Sequence, residues 1–417
     1  MSVRHRAQAP QDVVAPGERL AGEGGVIPDR KENTAMTNDG GQELPMWVPY
    51  LGPQVHEATT RALAAGYLGL GMLSREFEEA LSRYLELDGR WLMATNSCTA
   101  ALNCACILAG AGPGTEVIAP AFTYVAAHQA ITATGAQVVF CDVEEPTLTV
   151  NPETLESLIT DRTRAIMVCH YAGLVGRIDE VYDVAARYGL RVIEDAAHAL
   201  GSRNRDRMVG ATGDLVCFSF GPVKTITTLE GGAIITSDPD ELRVLHELRM
   251  LGVDRETEFR YRNKRAWQYD VVRQGFRYHL GAIPSAIGLA QLSLIDQIIA
   301  NRQAYCRGYN ERLAGIVEVT TPPTDYKDIA PFIYFIRVPA ESRARLVAFL
   351  KRRGIPTGIH FQGAHEFTLY LDCPRSDLSV TDRVSREELT LPLWSYMDES
   401  VLDRIAAGVA AFFGGGR

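Results

Sequence analysis

The segment from Leu215 to Thr236, with the sequence LVCFSFGPVKTITTLEGGAIIT, decides how this chain folds. Its two ends, Leu215–Phe218 and Ala233–Thr236, are short and apolar, as is typical of buried strands. Lys224 lies on the connection between them, and the pair Gly231-Gly232 stands immediately before the second apolar run. The segment therefore predicts two buried strands with a lysine at the edge of their sheet.

Apolar segments of strand length also precede this one. They are Trp91–Ala94, Glu116–Ala119, Gln137–Phe140, Arg164–Val168 and Arg191–Ile193. Amphipathic stretches of helical period separate them, for example Ile178–Tyr188. This alternation predicts an α/β fold, in which a mainly parallel sheet is covered by helices on both faces. Because ligands bind at the carboxyl ends of strands in such sheets, the residues after each strand are the candidates for function.

Two of these strand ends carry residues suited to a flat, phosphorylated ligand. Asn96–Leu102 reads NSCTAAL and opens a helix, whose unpaired N–H groups and partial positive charge attract a phosphate. An ordinary capped helix explains the same residues. Pro120–Tyr124 ends in an aromatic ring that is able to stack on a cofactor, although core packing also accounts for it.

The third strand end carries acidic and imidazole groups. Asp195 follows Val192-Ile193, and a carboxylate in that position can keep a pyridine nitrogen protonated. A helix-capping role is the alternative. His198 is either a core histidine or a donor to a cofactor oxygen. Lys224 supplies an amine whose pKa falls when it is partly desolvated, as Schiff-base chemistry requires. Together, the lysine, the carboxylate and the phosphate seat predict pyridoxal phosphate as the cofactor.

Six segments, in order, resemble the DegT/DnrJ/EryC1/StrS family of pyridoxal-phosphate-dependent sugar aminotransferases. They are Asn96–Leu102, Pro120–Tyr124, His170–Gly173, Ile193–Ser202, Phe218–Lys224 and Glu230–Ala233. The similarity runs from about Val48 to the C-terminus and includes Ala286–Leu292 and Gly354–His360. The resemblance implies a fold-type-I transferase with a large, mainly parallel sheet domain and a smaller α+β C-terminal domain. It also implies a homodimer with active sites shared at the subunit interface.

The resemblance also assigns roles to residues. Lys224 forms the Schiff base with the cofactor and moves the proton between substrate and cofactor. Asp195 pairs with the pyridinium nitrogen, and Tyr124 stacks on the ring. His198 stands where the family often has Gln and keeps the role of donor to the cofactor oxygen. The residues implied to hold the phosphate are Thr99, Ala100 and Ser219.

Two positions depart from the family pattern. Gly275–Leu280 reads GFRYHL, where many members have Asn in a Gly-Tyr-Asn-Tyr-Arg segment that reaches the phosphate of the other subunit. Arg277 can serve a phosphate as a charged donor, either that of the cofactor or that of a nucleotide substrate. Gly221 stands where His or another larger residue is common before the proline. We expect it to open space beside Lys224 and to affect which substrate is accepted.

The resemblance favours amination, because a dehydrating branch of the family carries His in place of the lysine. It predicts transfer of an amino group from L-glutamate to a nucleotide-linked keto sugar. Ser97–Ala100 and His170–Gly173 resemble the 4-aminotransferase branch, which implies a dTDP-4-keto-6-deoxyhexose in deoxyaminosugar biosynthesis. The alternatives are a 3-keto sugar or keto-cyclitol acceptor, a non-catalytic regulator that binds pyridoxal phosphate, and a binding protein without this cofactor.

Length, composition and charge limit the number of domains, the partners and the compartment that the sequence allows. The 417 residues, 46% of them hydrophobic, suffice for a substantial core in two domains. A net charge of −9 without a long basic run argues against binding to nucleic acid or an anionic membrane. The eight cysteines show neither zinc-site nor disulfide spacing, and the chain has no run of eighteen apolar residues and no signal-peptide pattern. These features predict a reduced, cytoplasmic protein.

We expect a flexible leader over residues 1–43, a cofactor-binding domain over 44–292 and a small domain over 293–417. The small domain contains the strand pattern Phe332–Val338 and the helical pattern Ser342–Arg353. His360 and His365 flank a loop that we expect to face the substrate. Since no carboxylate cluster or cysteine accompanies the two histidines in the sequence, we predict no metal site.

Overall fold

The computed structural model describes residues 43–254 and 269–414. Its large sheet contains β1 (Trp91–Thr95), β2 (Glu116–Pro120), β3 (Gln137–Cys141), β4 (Thr163–Cys169), β5 (Arg191–Asp195), β8 (Leu215–Ser219) and β9 (Gly232–Thr236). The short strands β6 (Arg203–Asn204) and β7 (Arg207–Met208) form a separate hairpin between β5 and β8. Every strand that the sequence predicts in this region is present.

The strands of the large sheet are ordered β1-β9-β8-β5-β4-β2-β3. The pairs among β8, β5, β4, β2 and β3 are parallel, whereas β9 runs antiparallel to both of its neighbours, β1 and β8. Six strands therefore point one way and one points the other. The predicted mainly parallel sheet is confirmed, and the carboxyl ends of the six strands lie along one edge.

Helices cover both faces of this sheet. They are α1 (Pro53–Ala64), α2 (Met72–Tyr84), α3 (Cys98–Leu108), α4 (Val125–Thr132), α5 (Ile178–Tyr188), α6 (Pro239–Arg249), α7 (Ala282–Leu292) and α8 (Ile295–Leu313). Side chains alternate between the faces: in β1, Met93 packs in the cluster under α3, α4 and α6, and Leu92 packs with α2 and α8. Helix α5 covers the second face beside β4 and β5.

The C-terminal part is smaller and has its own apolar cluster. It contains β10 (Tyr334–Arg337), α9 (Ala340–Lys351), α10 (Ser379–Glu387), β11 (Glu388–Leu391) and α11 (Glu399–Gly414), and β10 pairs antiparallel with β11. Leu44, which the sequence places at the start of the large domain, packs in this cluster, and its N–H donates to the carbonyl of Gly354 at 2.8 Å. The predicted leader, residues 1–43, lies outside the described residues except for Glu43.

All eight cysteines are unpaired thiols, so the expected absence of disulfides agrees with the structure. Within residues 43–254 and 269–414, no single helix is long and apolar enough to cross a membrane. The bent pair α7–α8 meets those criteria only when its two helices are taken together.

Arg302, in α8, is buried without a carboxylate partner among the described residues. Its Nε donates to Ser395 Oγ at 3.0 Å, and its Nη1 donates to the carbonyl of Phe332 at 2.9 Å and more weakly to that of Pro331. Burial lowers the pKa of Arg302 to about 10. The arginine therefore ties α8 to the segment that precedes β10.

We expect the substitution Arg302→Met to lower the free energy of unfolding by about 3 kcal/mol, because it leaves two buried carbonyls and a hydroxyl without their donor. Urea unfolding followed by circular dichroism measures this loss. The matched control is Arg307→Met, at an exposed position of the same helix. Equal stability of the two variants would show that the buried contacts contribute nothing.

Candidate active site

The carboxyl edge of the sheet brings the predicted site residues together. In the strand register, Thr95 of β1 and Ser219 of β8 both lie opposite Gly232, the first residue of β9. Asp195 of β5 lies between Cys169 of β4 and Cys217 of β8. The segments that follow β1, β4, β5 and β8 therefore meet at one place.

Lys224 lies on the turn after β8, where its N–H donates to the carbonyl of Gly221 at 3.2 Å. Its Nζ lies 4.0 Å from the centroid of the Phe332 ring, a cation–π contact. Burial lowers the pKa of Lys224, while the nearby charge of Asp195 acts in the opposite direction. Since burial dominates, the free amine that a Schiff base needs becomes more accessible than on an exposed lysine.

Asp195 is the last residue of β5 and only 5% exposed. Its Oδ1 accepts the N–H of Ala197 at 3.1 Å, and no ion pair to it is found in the described part of the chain. Burial raises the pKa of Asp195, whereas Lys224 and His170 lower it. A buried carboxylate that lacks a fixed cation fits a cofactor that carries a protonated ring nitrogen.

His198, also 5% exposed, is held in one tautomer. Its Nδ1 accepts the N–H of Ala172 at 3.3 Å, and Ala172 adopts a left-handed conformation with φ 55°. Burial, with the charges of Lys224 and His360, holds the pKa of His198 well below its usual value. The neutral ring must then carry its proton on Nε2, so His198 presents a hydrogen-bond donor.

The N-terminus of α3 forms the candidate phosphate seat. Ser97 caps it, because the N–H of Ala100 donates to Ser97 Oγ at 3.1 Å, and Thr99 is exposed. A Cβ at Gly232 would lie 2.5 Å from the backbone nitrogen of Cys98. Only glycine therefore allows β9 to begin against this helix end. The seat differs from the prediction in one respect, since the cap already occupies the N–H of Ala100.

Three further predicted residues border this region. Ser219 Oγ accepts the N–H of Gly221 at 3.4 Å. Tyr124 starts α4 with a ring that is 59% exposed and lies 5.9 Å, between centroids, from Phe361. A Cβ at Gly221 would meet nothing closer than 3.7 Å, and one of its neighbours would be Lys224 Cγ at 3.9 Å. Gly221 is buried and a methyl group there would be in ordinary van der Waals contact, so the expected open space beside Lys224 stays a prediction.

Arg277 is not brought to Lys224 in this chain. Its side chain is exposed and forms no ion pair with the residues described, while its carbonyl accepts Asn96 Nδ2 at 3.2 Å. The segment that carries it bridges to β1 through His279 and Thr95. The arginine therefore lies on the surface beside the phosphate seat, and its role stays a prediction.

The two histidines of the C-terminal loop have different environments. His360 lies within electrostatic range of Lys224, whose charge adds to burial in lowering its pKa to about 4. His365 is buried and pairs through Nε2 with Asp382 Oδ1 at 2.9 Å. The short helix Ala364–Glu366 packs on the sheet, because the N–H of Ala364 donates to Ala121. The expectation that His365 faces the substrate therefore has no support in these contacts.

The expectation that no carboxylate cluster accompanies these histidines is wrong in detail. His365, Glu366 and Asp382 place their oxygen and nitrogen atoms within 4.8 Å of one another. The Nε2 of His365 is already engaged by Asp382, and Glu366 accepts from Gln362 at 3.0 Å. An ion pair and a hydrogen bond explain the grouping.

Sequence reasoning missed the aromatic wall of the site. Phe332 lies under Lys224 and packs at a tilt against His198 with centroids 4.3 Å apart, and Phe361 stacks on the same imidazole at 6.0 Å. Tyr171 packs on Phe361 at 6.3 Å. The only signal in the sequence was the strand pattern over Phe332–Val338, which identifies a buried residue but not its neighbours.

A sequence model of the DegT/DnrJ/EryC1/StrS aminotransferase family matches residues 49–410. The chain belongs to this family. Its fold is similar to that of the aminotransferase TlmJ from Streptoalloteichus hindustanus, with 27% identity and a TM-score of 0.83, and 89% of this chain and 99% of TlmJ are covered.

Two other solved structures are similar over comparable lengths. S. venezuelae DesV, in complex with a ketimine intermediate, is 30% identical with a TM-score of 0.80, covering 88% of this chain and 98% of DesV. The PLP-form of the putative sugar aminotransferase Spr1654 from Streptococcus pneumoniae is 25% identical with a TM-score of 0.80, and the match covers 89% of this chain and 99% of Spr1654. This member of the DegT/DnrJ/EryC1/StrS family is therefore a pyridoxal-phosphate-dependent aminotransferase that acts on sugars.

We expect Gly232→Ala to weaken cofactor binding at least about tenfold, because the added methyl group displaces the backbone at the phosphate seat. Equilibrium dialysis of pyridoxal phosphate against the apoenzyme measures the affinity. Gly112→Ala is the matched control, since a Cβ there would have no neighbour within 4 Å. An unchanged affinity in the Gly232 variant would contradict the assignment of the seat.

Proposed function

We propose that this aminotransferase moves an amino group from L-glutamate to a nucleotide-linked keto sugar, a dTDP-4-keto-6-deoxyhexose, in deoxyaminosugar biosynthesis. The observation that carries the proposal is the buried amine of Lys224, which lies within range of the Asp195 charge and has no larger side chain beside it at Gly221. The resemblance of Ser97–Ala100 and His170–Gly173 to the 4-aminotransferase branch supports the choice of sugar carbon.

Lys224 is the residue that we assign to proton transfer. When bound, pyridoxal phosphate supplies an electron sink that stabilises negative charge on the substrate carbon that loses its proton. The Nζ of Lys224 takes up that proton and returns it elsewhere, which is efficient because burial lowers the pKa of the amine toward the working pH. Phe332 supports the side chain from below and excludes water on that side.

Asp195 and His198 orient and polarise the cofactor in this proposal. The Asp195 carboxylate holds a proton on the ring nitrogen, and the hydrogen bond from Ala197 fixes that carboxylate. The Nε2–H of His198 donates to an oxygen of the cofactor, with its tautomer set by Ala172. The N-terminus of α3 with Thr99 and Ser219 holds the phosphate, aided by the partial charge of the helix.

We also propose that the enzyme is a homodimer with shared active sites. Large apolar side chains are exposed on one side of the chain, in the α1–α2 connection and in the segments on either side of residues 255–268: Tyr67, Leu68, Met72, Leu251, Val271 and Val272. Leu70 and Met250 line the same surface cavity, so the two regions adjoin. Exposed apolar surface of this kind marks a protein interface, and Arg277 lies five residues after Val272. A second copy of the chain fits this surface and would place Arg277 near the other active site.

Purified enzyme mixed with L-glutamate and dTDP-4-keto-6-deoxyhexose should release 2-oxoglutarate. We expect Lys224→Ala to abolish release and to prevent fixation of the cofactor by borohydride. Asp195→Asn should lower kcat by about 100-fold or more with little change in KM, since its carboxylate acts mainly in the transition state.

Assays with a panel of different keto acceptors test whether the 4-keto sugar is the acceptor that the enzyme uses. Release with a 3-keto sugar or a keto-cyclitol, and not with the 4-keto sugar, would replace the acceptor that we propose. A yellow enzyme that releases no 2-oxoglutarate with any of them would favour the regulator instead.

Mixing two inactive variants tests the shared site. If Arg277 serves the other subunit, dimers that combine Lys224→Ala with Arg277→Ala contain one intact site, and a statistical mixture regains about a quarter of the wild-type activity. Subunits must be exchanged by mild denaturation and refolding, with each variant treated alone as the control. An absence of recovery places Arg277 in its own subunit's site, and a monomer in sedimentation velocity contradicts the dimer.

A further inference from the structure

A buried carboxyl group lies behind His360 and has no role in the chemistry described so far. Glu388, the first residue of β11, is 0% exposed and forms no ion pair within the described ranges. The nearest cation is Arg343 of α9, whose Nη1 donates to the main-chain carbonyl of Glu388 at 3.2 Å. The hydroxyl of Tyr171 faces the carboxyl group from the segment after β4.

Two short hydrogen bonds connect this carboxyl group, through Thr390, to the imidazole of His360, and a third reaches the main chain of the same residue. Glu388 Oε2 accepts the main-chain N–H of His360 at 2.7 Å. Glu388 Oε1 lies 2.5 Å from the hydroxyl of Thr390, which lies 2.8 Å from His360 Nδ1. Thr390 is also fully buried, so water cannot replace it.

Main-chain hydrogen bonds and close packing hold Thr390 and His360 in place. Gly358 exchanges both main-chain hydrogen bonds with Thr390, at 3.0 and 2.9 Å. A Cβ at Gly358 would lie 2.9 Å from a carbon of the His360 ring. The hydroxyl of Tyr171 donates to the carbonyl of His360 at 2.5 Å. The ring is therefore confined against Thr390 by its own segment.

The assignment of donors and acceptors from Glu388 through Thr390 to His360 fixes the tautomer of the His360 ring. A buried carboxyl group that forms no ion pair is held neutral, and burial raises the pKa of Glu388 to about 8 even though the charge of Arg343 lowers it. Oε2 is an acceptor for the main chain, so the acid proton lies on Oε1 and is donated to Thr390. The Thr390 hydroxyl then donates to Nδ1 of His360, which leaves the ring proton on Nε2.

We propose that Glu388 acts through Thr390 as a positioning residue, which fixes His360 in the tautomer that offers Nε2–H to the substrate. The Nε2 atom makes no hydrogen bond with any described residue, and the ring lies in the electrostatic range of both Lys224 and His198. The Nε2–H group of His360 therefore needs a substrate oxygen that accepts a hydrogen bond. This inference rests on the proposed function, in which that oxygen belongs to the keto sugar or to the carboxylate of the amino donor.

Loss of the acid proton reverses the two hydrogen bonds that run from Glu388 through Thr390 to the His360 ring. Ionised Glu388 accepts from Thr390, which then accepts from Nδ1–H, and Nε2 becomes an acceptor. The donor form is therefore present below about pH 8 and is lost as the pH rises through the pKa of Glu388. The groups that shift the pKa of Glu388, and with it the pH at which the tautomer changes, are Arg343, Tyr171 and His360 itself. All three are in contact with or close to the carboxyl group.

Selective ¹⁵N-histidine labelling of the holoenzyme tests the tautomer without any substrate, with His360→Gln used to assign the signal. Wild-type enzyme should show the Nε2–H form at pH 7 and convert to the Nδ1–H form near pH 8. Glu388→Gln should keep the Nε2–H form throughout, because its amide donates and does not ionise. Thr390→Val should lose the preference, whereas Thr390→Ser should retain it.

An Nδ1–H form at pH 7 in the wild type, or a preference that survives in Thr390→Val, would overturn the relay. If Thr390→Val does not fold, the comparison of Glu388→Gln with the wild type across the pH range gives the same decision. An unchanged wild-type tautomer up to pH 10 would likewise overturn it.

Kinetics identify the oxygen that is bound. Thr390→Val should raise the KM of one substrate about twofold, because a ring without a tautomer preference offers Nε2–H only about half of the time, and Thr390→Ser should leave it unchanged. A rise for L-glutamate identifies its carboxylate, and a rise for the keto sugar identifies a sugar oxygen. If both KM values stay unchanged while the tautomer changes, His360 does not bind substrate. If no keto sugar reacts, the proposed function fails, and the labelling experiment still decides the relay.

Discussion

Burial at the carboxyl edge of the sheet is the constraint on which the rest of the site depends. It lowers the pKa of Lys224 and of His198 and raises that of Asp195, so each group moves toward its uncharged form. In the function that we propose, the charges that catalysis needs come with the cofactor, whose phosphate would bind at the N-terminus of α3 and whose positive ring nitrogen would lie at Asp195. Attraction between these charges and their seats is strong because little water competes.

The C-terminal domain completes the site through two buried links. Arg302 holds the carbonyl of Phe332, and the ring of Phe332 lies under Lys224. Glu388, on β11, is connected through Thr390 to His360. The large domain carries the residues that we propose to hold the cofactor, whereas the small domain carries Phe332 and Phe361, which pack beside Lys224 and His198. Movement between the two domains would change the support of the lysine.

The sequence predicted those parts of the site that depend on local order. Lys224 and Asp195 follow apolar strands directly, and parallel strands end at one edge, so their meeting follows from the pattern alone. Phe332 was missed because its contacts with His198 and Lys224 join segments that lie more than 100 residues apart in the sequence. Neither Phe332 nor Glu388 is of a residue type that, within a strand pattern, indicates a functional site by itself. His360 and His365 are close in sequence but have different environments, because a short helix turns His365 toward Asp382.

The missing side chain at position 221 has a consequence for how such enzymes diversify. A Cβ at this glycine would meet only ordinary van der Waals neighbours, and the backbone there is not left-handed, so the fold has room for a methyl group. That methyl group would lie 3.7 Å from Ser219 Oγ and 3.9 Å from Lys224 Cγ. A substitution at this position would therefore act on the candidate phosphate contact and on the lysine at the same time, so a change of acceptor here is coupled to the hold on the cofactor.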